Sequence, residues 1–158
     1  MKPSKIIGIL LFMIVLYGAF VHLVTKTIAP NRVDPMVTSF DISRPRAPAE
    51  ARKIKNPVPV SEDVIEKGKK LYLGKGGCIV CHGEEGKGDG EGGHLLNPPP
   101  RDLTNPNFHL LRTDGEMFWS IKNGVEGTGM FSYAPRIISE EDAWKVIHFI
   151  RTLKQERT

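Results

Sequence analysis

The 158-residue chain reads as all-α: a small helical domain behind a single N-terminal transmembrane helix and a proline-rich linker. Three observations carry this reading. Nineteen residues from Ile6 to Val24 hold no formal charge. Three later segments place helix caps ahead of apolar residues at helical spacing. No run alternates apolar and polar residues well enough to make a strand. The boundaries expected are an anchor over 1–28, a linker over 29–60 and a folded domain over 61–158.

The first segment, "IIGILLFMIVLYGAFVHLV", spans roughly 28 Å as a helix, close to the ~30 Å hydrocarbon core of a bilayer. A cleaved signal peptide is the alternative, with Lys2 and Lys5 as its charged start. Its apolar region is normally only ~7–15 residues, and no clean small-residue cleavage site follows here. The linker holds Pro30, Pro35, Pro45, Pro48, Pro57 and Pro59 and no apolar periodicity, which favours extended backbone. Arg44, Arg46, Arg52, Lys53 and Lys55 make its second half basic, as for a solvated tether or a strap on an acidic surface.

Charge is split along the chain. Residues 1–60 carry nine Lys/Arg against three Asp/Glu, and residues 61–158 carry thirteen against fifteen. The basic character belongs to the N-terminal arm and not to the folded part, which argues against reading the whole protein as a nucleic-acid binder.

In the domain, Ser61 caps a helix running to Leu73, with Glu62 and Asp63 in its first turn. Val64, Ile65, Gly68, Leu71 and Tyr72 share one face, and a mid-helix glycine there fits close approach of another helix. Thr113 and Glu116 form a capping-box pattern ahead of a helix ending at Asn123 and Gly124. Ser139 and Asp142 sit at the same spacing ahead of the stripe Ala143, Val146, Ile147, Ile150 and Leu153. Irregular chain is expected between Gly83 and Arg112. So short a domain with so much loop buries a thin core, and something else is expected to fill its centre.

The two cysteines of the chain, Cys78 and Cys81, stand in "CIVCHGEEGKGDGEGG", with His82 directly after the second. C-x-x-C-H is the pattern of covalent haem attachment: each thiol adds to one vinyl group, and the histidine turns its imidazole to the iron. A redox dithiol would want a βαβ context, and a zinc site would want two further ligands, for which only the isolated His94 and His109 offer themselves. The G-x-G-x-x-G at Gly88, Gly90 and Gly93 lacks a preceding strand, so a nucleotide site is the weaker reading. For the sixth iron ligand, Met130 in the loop "GVEGTGMFSYAP" is the candidate. Met117 on an amphipathic helix and His109 are its competitors.

Over roughly 61–156 these pieces resemble a class I c-type cytochrome. "EKGKKLY" is similar to that family's first helix, "CIVCHGEEGKGDG" to its haem segment, "GTGMFSYAP" to its axial-methionine loop and "WKVIHFIRTL" to its last helix, with Phe149 matching the aromatic that packs near Gly68. The resemblance implies one covalent haem c, ligated by His82 and Met130, and one-electron transfer with no small-molecule substrate. "NPPPRDLT" resembles the family's proline segment, so one of Pro98, Pro99 or Pro100 is expected to offer its carbonyl to the His82 ring, and Arg101 to meet a haem propionate or solvent. The resemblance also implies a haem domain on the periplasmic or outer face of a bacterial cytoplasmic membrane. Partners would be the subunits of a quinol-oxidising or oxidase-associated complex. The alternatives are a free tethered shuttle and a haem enzyme or ligand sensor with an open iron.

Overall fold

A computed structural model describes residues 12–23 and 46–155. The chain divides between Ser43 and Arg44 into two units, each described by itself. In the first, residues 12–23 form helix α1, whose apolar side chains, among them Phe12, Ile14, Phe20 and Leu23, are exposed. Among the described residues no helix is long and apolar enough to cross a membrane. The expected span over 6–24 extends outside them at both ends, and the linker from 29 to 45 lies outside them altogether.

The second unit contains α2 (Glu62–Leu73), α3 (Cys78–His82), α4 (Pro106–Leu111), α5 (Asp114–Asn123) and α6 (Glu140–Thr152). Two 3-10 turns lie at Ala49–Lys53 and Glu91–Gly93, and no strand occurs among the described residues. The expected caps form. Ser61 Oγ accepts from Val64 N–H at 3.2 Å. Thr113 and Glu116 close a full capping box. Ser139 Oγ accepts from Asp142 N–H at 3.0 Å. Each satisfies backbone donors that a helix start leaves open.

The core is organised by the crossing of α2 and α6. A Cβ on Gly68 would lie 2.7 Å from the Lys145 carbonyl carbon and 3.1 Å from Phe149 Cβ, so the backbones meet where only glycine fits. One turn further on, Tyr72 is fully buried and packs edge-on against Phe149, with ring centres 5.2 Å apart. On the other side of α6, Trp144 stacks on Phe118 of α5 at 4.0 Å. Arg151 ties the end of α6 to the start of α5: its Nε donates to Asp114 Oδ1 at 2.8 Å and its Nη2 to the Arg112 carbonyl at 2.7 Å.

Two differences from the sequence expectation have clear physical causes. The stretch read as irregular contains α4, started by Asn105, whose Oδ1 accepts from Asn107 N–H at 2.8 Å, with Pro106 at the first helical position. The second concerns residues 46–60, which the sequence reading places in the linker. Residues 46–60 lie on the helical domain as a strap. Ala51 is 3% exposed. Asn56 Nδ2 donates to the Trp144 carbonyl at 3.1 Å, and His148 Nε2–H donates to the Val58 carbonyl at 2.8 Å. The prolines keep the strap extended while single polar groups and one small side chain hold it down.

Gly68→Ala is expected to destabilise the domain by about 1–3 kcal/mol through overpacking, against a helix-propensity gain of about 1 kcal/mol. Denaturant unfolding measures it, and an unchanged midpoint would contradict the close crossing. Asn56→Ala is expected to cost about 1 kcal/mol and to speed amide exchange across 49–58. Exchange rates equal to the parent's would mean that the strap does not depend on this bond.

Candidate functional site

The motif helix α3 follows α2 after only the turn 74–77. It is fixed from beneath by Tyr72, whose hydroxyl donates to the Gly83 carbonyl at 2.8 Å. Burial, and next the Cys78 thiolate charge, push the Tyr72 hydroxyl pKa up, so the phenol stays a donor. The polar loop after the motif wraps the end of α3. Gly88 N–H donates to the His82 carbonyl at 2.8 Å and Gly90 N–H to the Cys81 carbonyl at 3.2 Å. Gly88 has φ +82°, and a Cβ there would lie 2.7 Å from the Pro100 carbonyl oxygen. The glycines thus serve tight packing of the loop onto the motif helix and the proline run. Among the described residues no strand precedes them, so the context a dinucleotide site needs is lacking there.

Cys78, Cys81, His82 and Met130 all line one cavity, which encloses about 1280 Å³ including the space at its open mouth. The lining is mostly apolar. Pro98, Pro99, Pro100 and Arg101 stand on the same wall. The two thiols are not joined in a disulfide. Burial pushes the free Cys78 thiol up to about 12. Two free thiols, an imidazole and a thioether on a largely apolar cavity are the donor set that a covalently attached haem requires, and the residues present fit it. The zinc alternative finds no donor cluster among the described residues.

His82 Nδ1–H donates to the Arg101 carbonyl at 3.1 Å. The acceptor of this bond lies one residue past the run Pro98, Pro99 and Pro100, whose three residues line the same cavity. Arg101 thereby has a backbone role the sequence did not suggest, while its guanidinium sits 6.0 Å from the centre of the Phe108 ring.

Met130 is held in its loop by backbone bonds at both ends. Its carbonyl accepts from Val125 N–H at 2.8 Å, and its N–H donates to Thr128 Oγ1 at 3.2 Å. Of its competitors, Met117 reaches the cavity wall but is buried in α5 among the core residues. His109 is not on the wall. Its Nε2–H donates to the Leu103 carbonyl at 2.7 Å, and burial holds its pKa below the usual histidine value.

The wall also carries Arg112 and Glu116, which sequence reasoning passed over as site residues. Glu116 was visible there only as a capping partner; its spacing of one turn from Arg112 is the signal that two roles share one side chain. Tyr133, whose pKa burial raises, is a further unforeseen wall residue.

No curated protein matches the chain. Among solved structures it is similar to a chain of the Kuenenia stuttgartiensis reducing HAO-like protein complex, at 29% identity and a TM-score of 0.55. That match covers 65% of this chain and 50% of that one, so the likeness spans about half the length of the solved relative. The cytochrome c family matches residues 65–154, a stretch that begins within α2 and takes in the cysteine motif, the Met130 loop and α6. The chain belongs to the cytochrome c family, with haem c attached covalently at its C-x-x-C-H motif.

Proposed function

We propose that the protein is a one-electron carrier with His82 and Met130 as the axial ligands of its haem, anchored in a membrane by its N-terminal helix and working as a subunit of a redox complex. The observation that carries the reading is the convergence of Cys78, Cys81, His82 and Met130 on one mostly apolar cavity. The haem supplies a one-electron couple, and the chain's residues set its surroundings. The Arg101 carbonyl fixes the His82 ring and its tautomer, which leaves Nε2 as the iron-binding nitrogen. The backbone bonds of Met130 hold a thioether ready, and thioether ligation raises a haem potential. His82 and Met130 together would hold the iron without leaving a position for substrate, which would separate a carrier from an enzyme or a ligand sensor.

The anchor is supported by α1, whose apolar residues are exposed on all sides. A helix that is apolar all round belongs in a protein interior or a bilayer. The subunit role is supported by the similarity to a chain of a multi-protein complex. A haem domain on the periplasmic or outer face of a bacterial cytoplasmic membrane follows from the same reading.

In the oxidised holoprotein a weak near-infrared sulfur-to-iron band is expected, and Met130→Ala should abolish it. The reduced parent should show no spectral change with carbon monoxide. Persistence of the band in the variant would transfer ligation to Met117, and carbon monoxide binding by the parent would favour the enzyme or sensor reading. The full chain is expected in the membrane fraction, resistant to high-salt washing and released by detergent. Release by salt alone would remove the anchor.

A further inference from the structure

The strap touches the cavity as well as the helices. Ala47 lines the cavity, and the 3-10 turn Ala49–Lys53 sits on the first turn of α5. A Cβ on Gly115 would lie 2.7 Å from the Ile54 carbonyl oxygen, so strap and helix meet backbone to backbone. Beside this contact lies Glu116, a carboxylate only 2% exposed. Its Oε2 accepts from Thr113 N–H at 2.9 Å. Its Oε1 faces two guanidiniums, Arg112 Nη1 at 3.6 Å and Arg52 Nε of the strap at 3.8 Å. Arg112 is itself only 9% exposed and lines the cavity with Glu116. Two cations and one anion thus stand together, with one excess positive charge between the strap and the cavity wall.

We propose that Arg52, Glu116 and Arg112 form a charge cluster that couples the seating of the strap to the reduction potential of the haem. Arg112 and Glu116 are the members on the wall, Glu116 partly neutralises Arg112, and Arg52 competes for the same carboxylate oxygen. A reduced haem carries one positive charge fewer than an oxidised one, so a nearby cation favours reduction and a nearby anion opposes it. When Arg52 is seated, Glu116 is shared and the cluster is net positive. When Arg52 is removed, Glu116 offsets Arg112 alone and the cluster is neutral. The strap joins the N-terminal arm to the domain, so an arm drawn off its seat by a partner would lower the potential. The inference rests on the haem seat itself and not on Met130 as ligand.

The test is a redox titration of the haem-loaded full chain and its variants. Arg52→Gln and Arg112→Gln are expected to lower the midpoint, and Glu116→Gln to raise it, each by about threefold or more in the one-electron equilibrium constant. Glu116→Gln keeps a capping acceptor, so α5 retains its start. Arg52→Lys keeps the charge and should restore the parent value. Lys53→Gln removes an exposed charge from the same turn and should shift the midpoint less than Arg52→Gln. Each variant's visible spectrum should match the parent's, which separates a charge effect from a lost fold. Equal midpoints for Arg52→Gln and Lys53→Gln would overturn the coupling, as would a lowered midpoint for Glu116→Gln. If the axial ligand is not Met130, the parent's own potential changes but the order of the variants does not.

Discussion

The backbone contact at Gly68 is the constraint on which the rest of the domain depends. With no side chain there, α2 and α6 approach until the Lys145 carbonyl fills the gap. Tyr72 then falls against Phe149 on one side and reaches the Gly83 carbonyl on the other. One residue thereby links the helix crossing to the end of the cysteine motif. Because α3 starts only a short turn after α2, the crossing fixes where both thiols and His82 stand relative to the core. A shift at Gly68 would be passed to the haem seat through a single hydrogen bond and a single ring contact.

The second organising feature is the way buried polar groups are matched. Among the described residues no buried side-chain polar atom lacks a partner. Glu116 illustrates how strict this is. A carboxylate so deeply buried is tolerable only if both oxygens are engaged, and here a helix start takes one and two arginines take the other. Removing Arg112 would leave the Glu116 charge poorly compensated in a poorly solvated place, so these two are a fixed pair of the wall, whereas the half-exposed Arg52 meets the same carboxylate from the solvent side. Arg151 plays a similar part at the junction of α4, α5 and α6, where it bonds both Asp114 and the Arg112 carbonyl.

What could be read from the sequence was whatever has a local signature. Ser61, Thr113 and Ser139 announce helix starts because caps act within three residues. The C-x-x-C-H spacing announces the haem because both thiols must lie on one short turn. Gly68 stood out because glycine is unfavourable inside a helix unless something needs the space. The strap had no such signature. Its attachments join Asn56 to Trp144 and Val58 to His148, residues 88 and 90 positions apart, and no periodicity reports a contact made by one amide and one imidazole. The helix α4 was hidden by its shortness, although Asn105 and Pro106 form a recognisable start. The bond from His82 to the Arg101 carbonyl had no signature either, because a proline run suggests a rigid wall without saying which carbonyl beside it turns inward.

The same long-range pairing bears on how the chain reaches its native state. The strap and α2, early in the domain, are both completed by α6, at its far end. Cys78, Cys81, His82 and Met130 all leave the ribosome before Glu140, where α6 begins. A nascent chain therefore displays the cysteine motif and the Met130 loop before it owns the helix that closes the core around them. Contacts of such sequence separation delay folding relative to helical proteins built from neighbouring segments, because a large loop must close before it is rewarded.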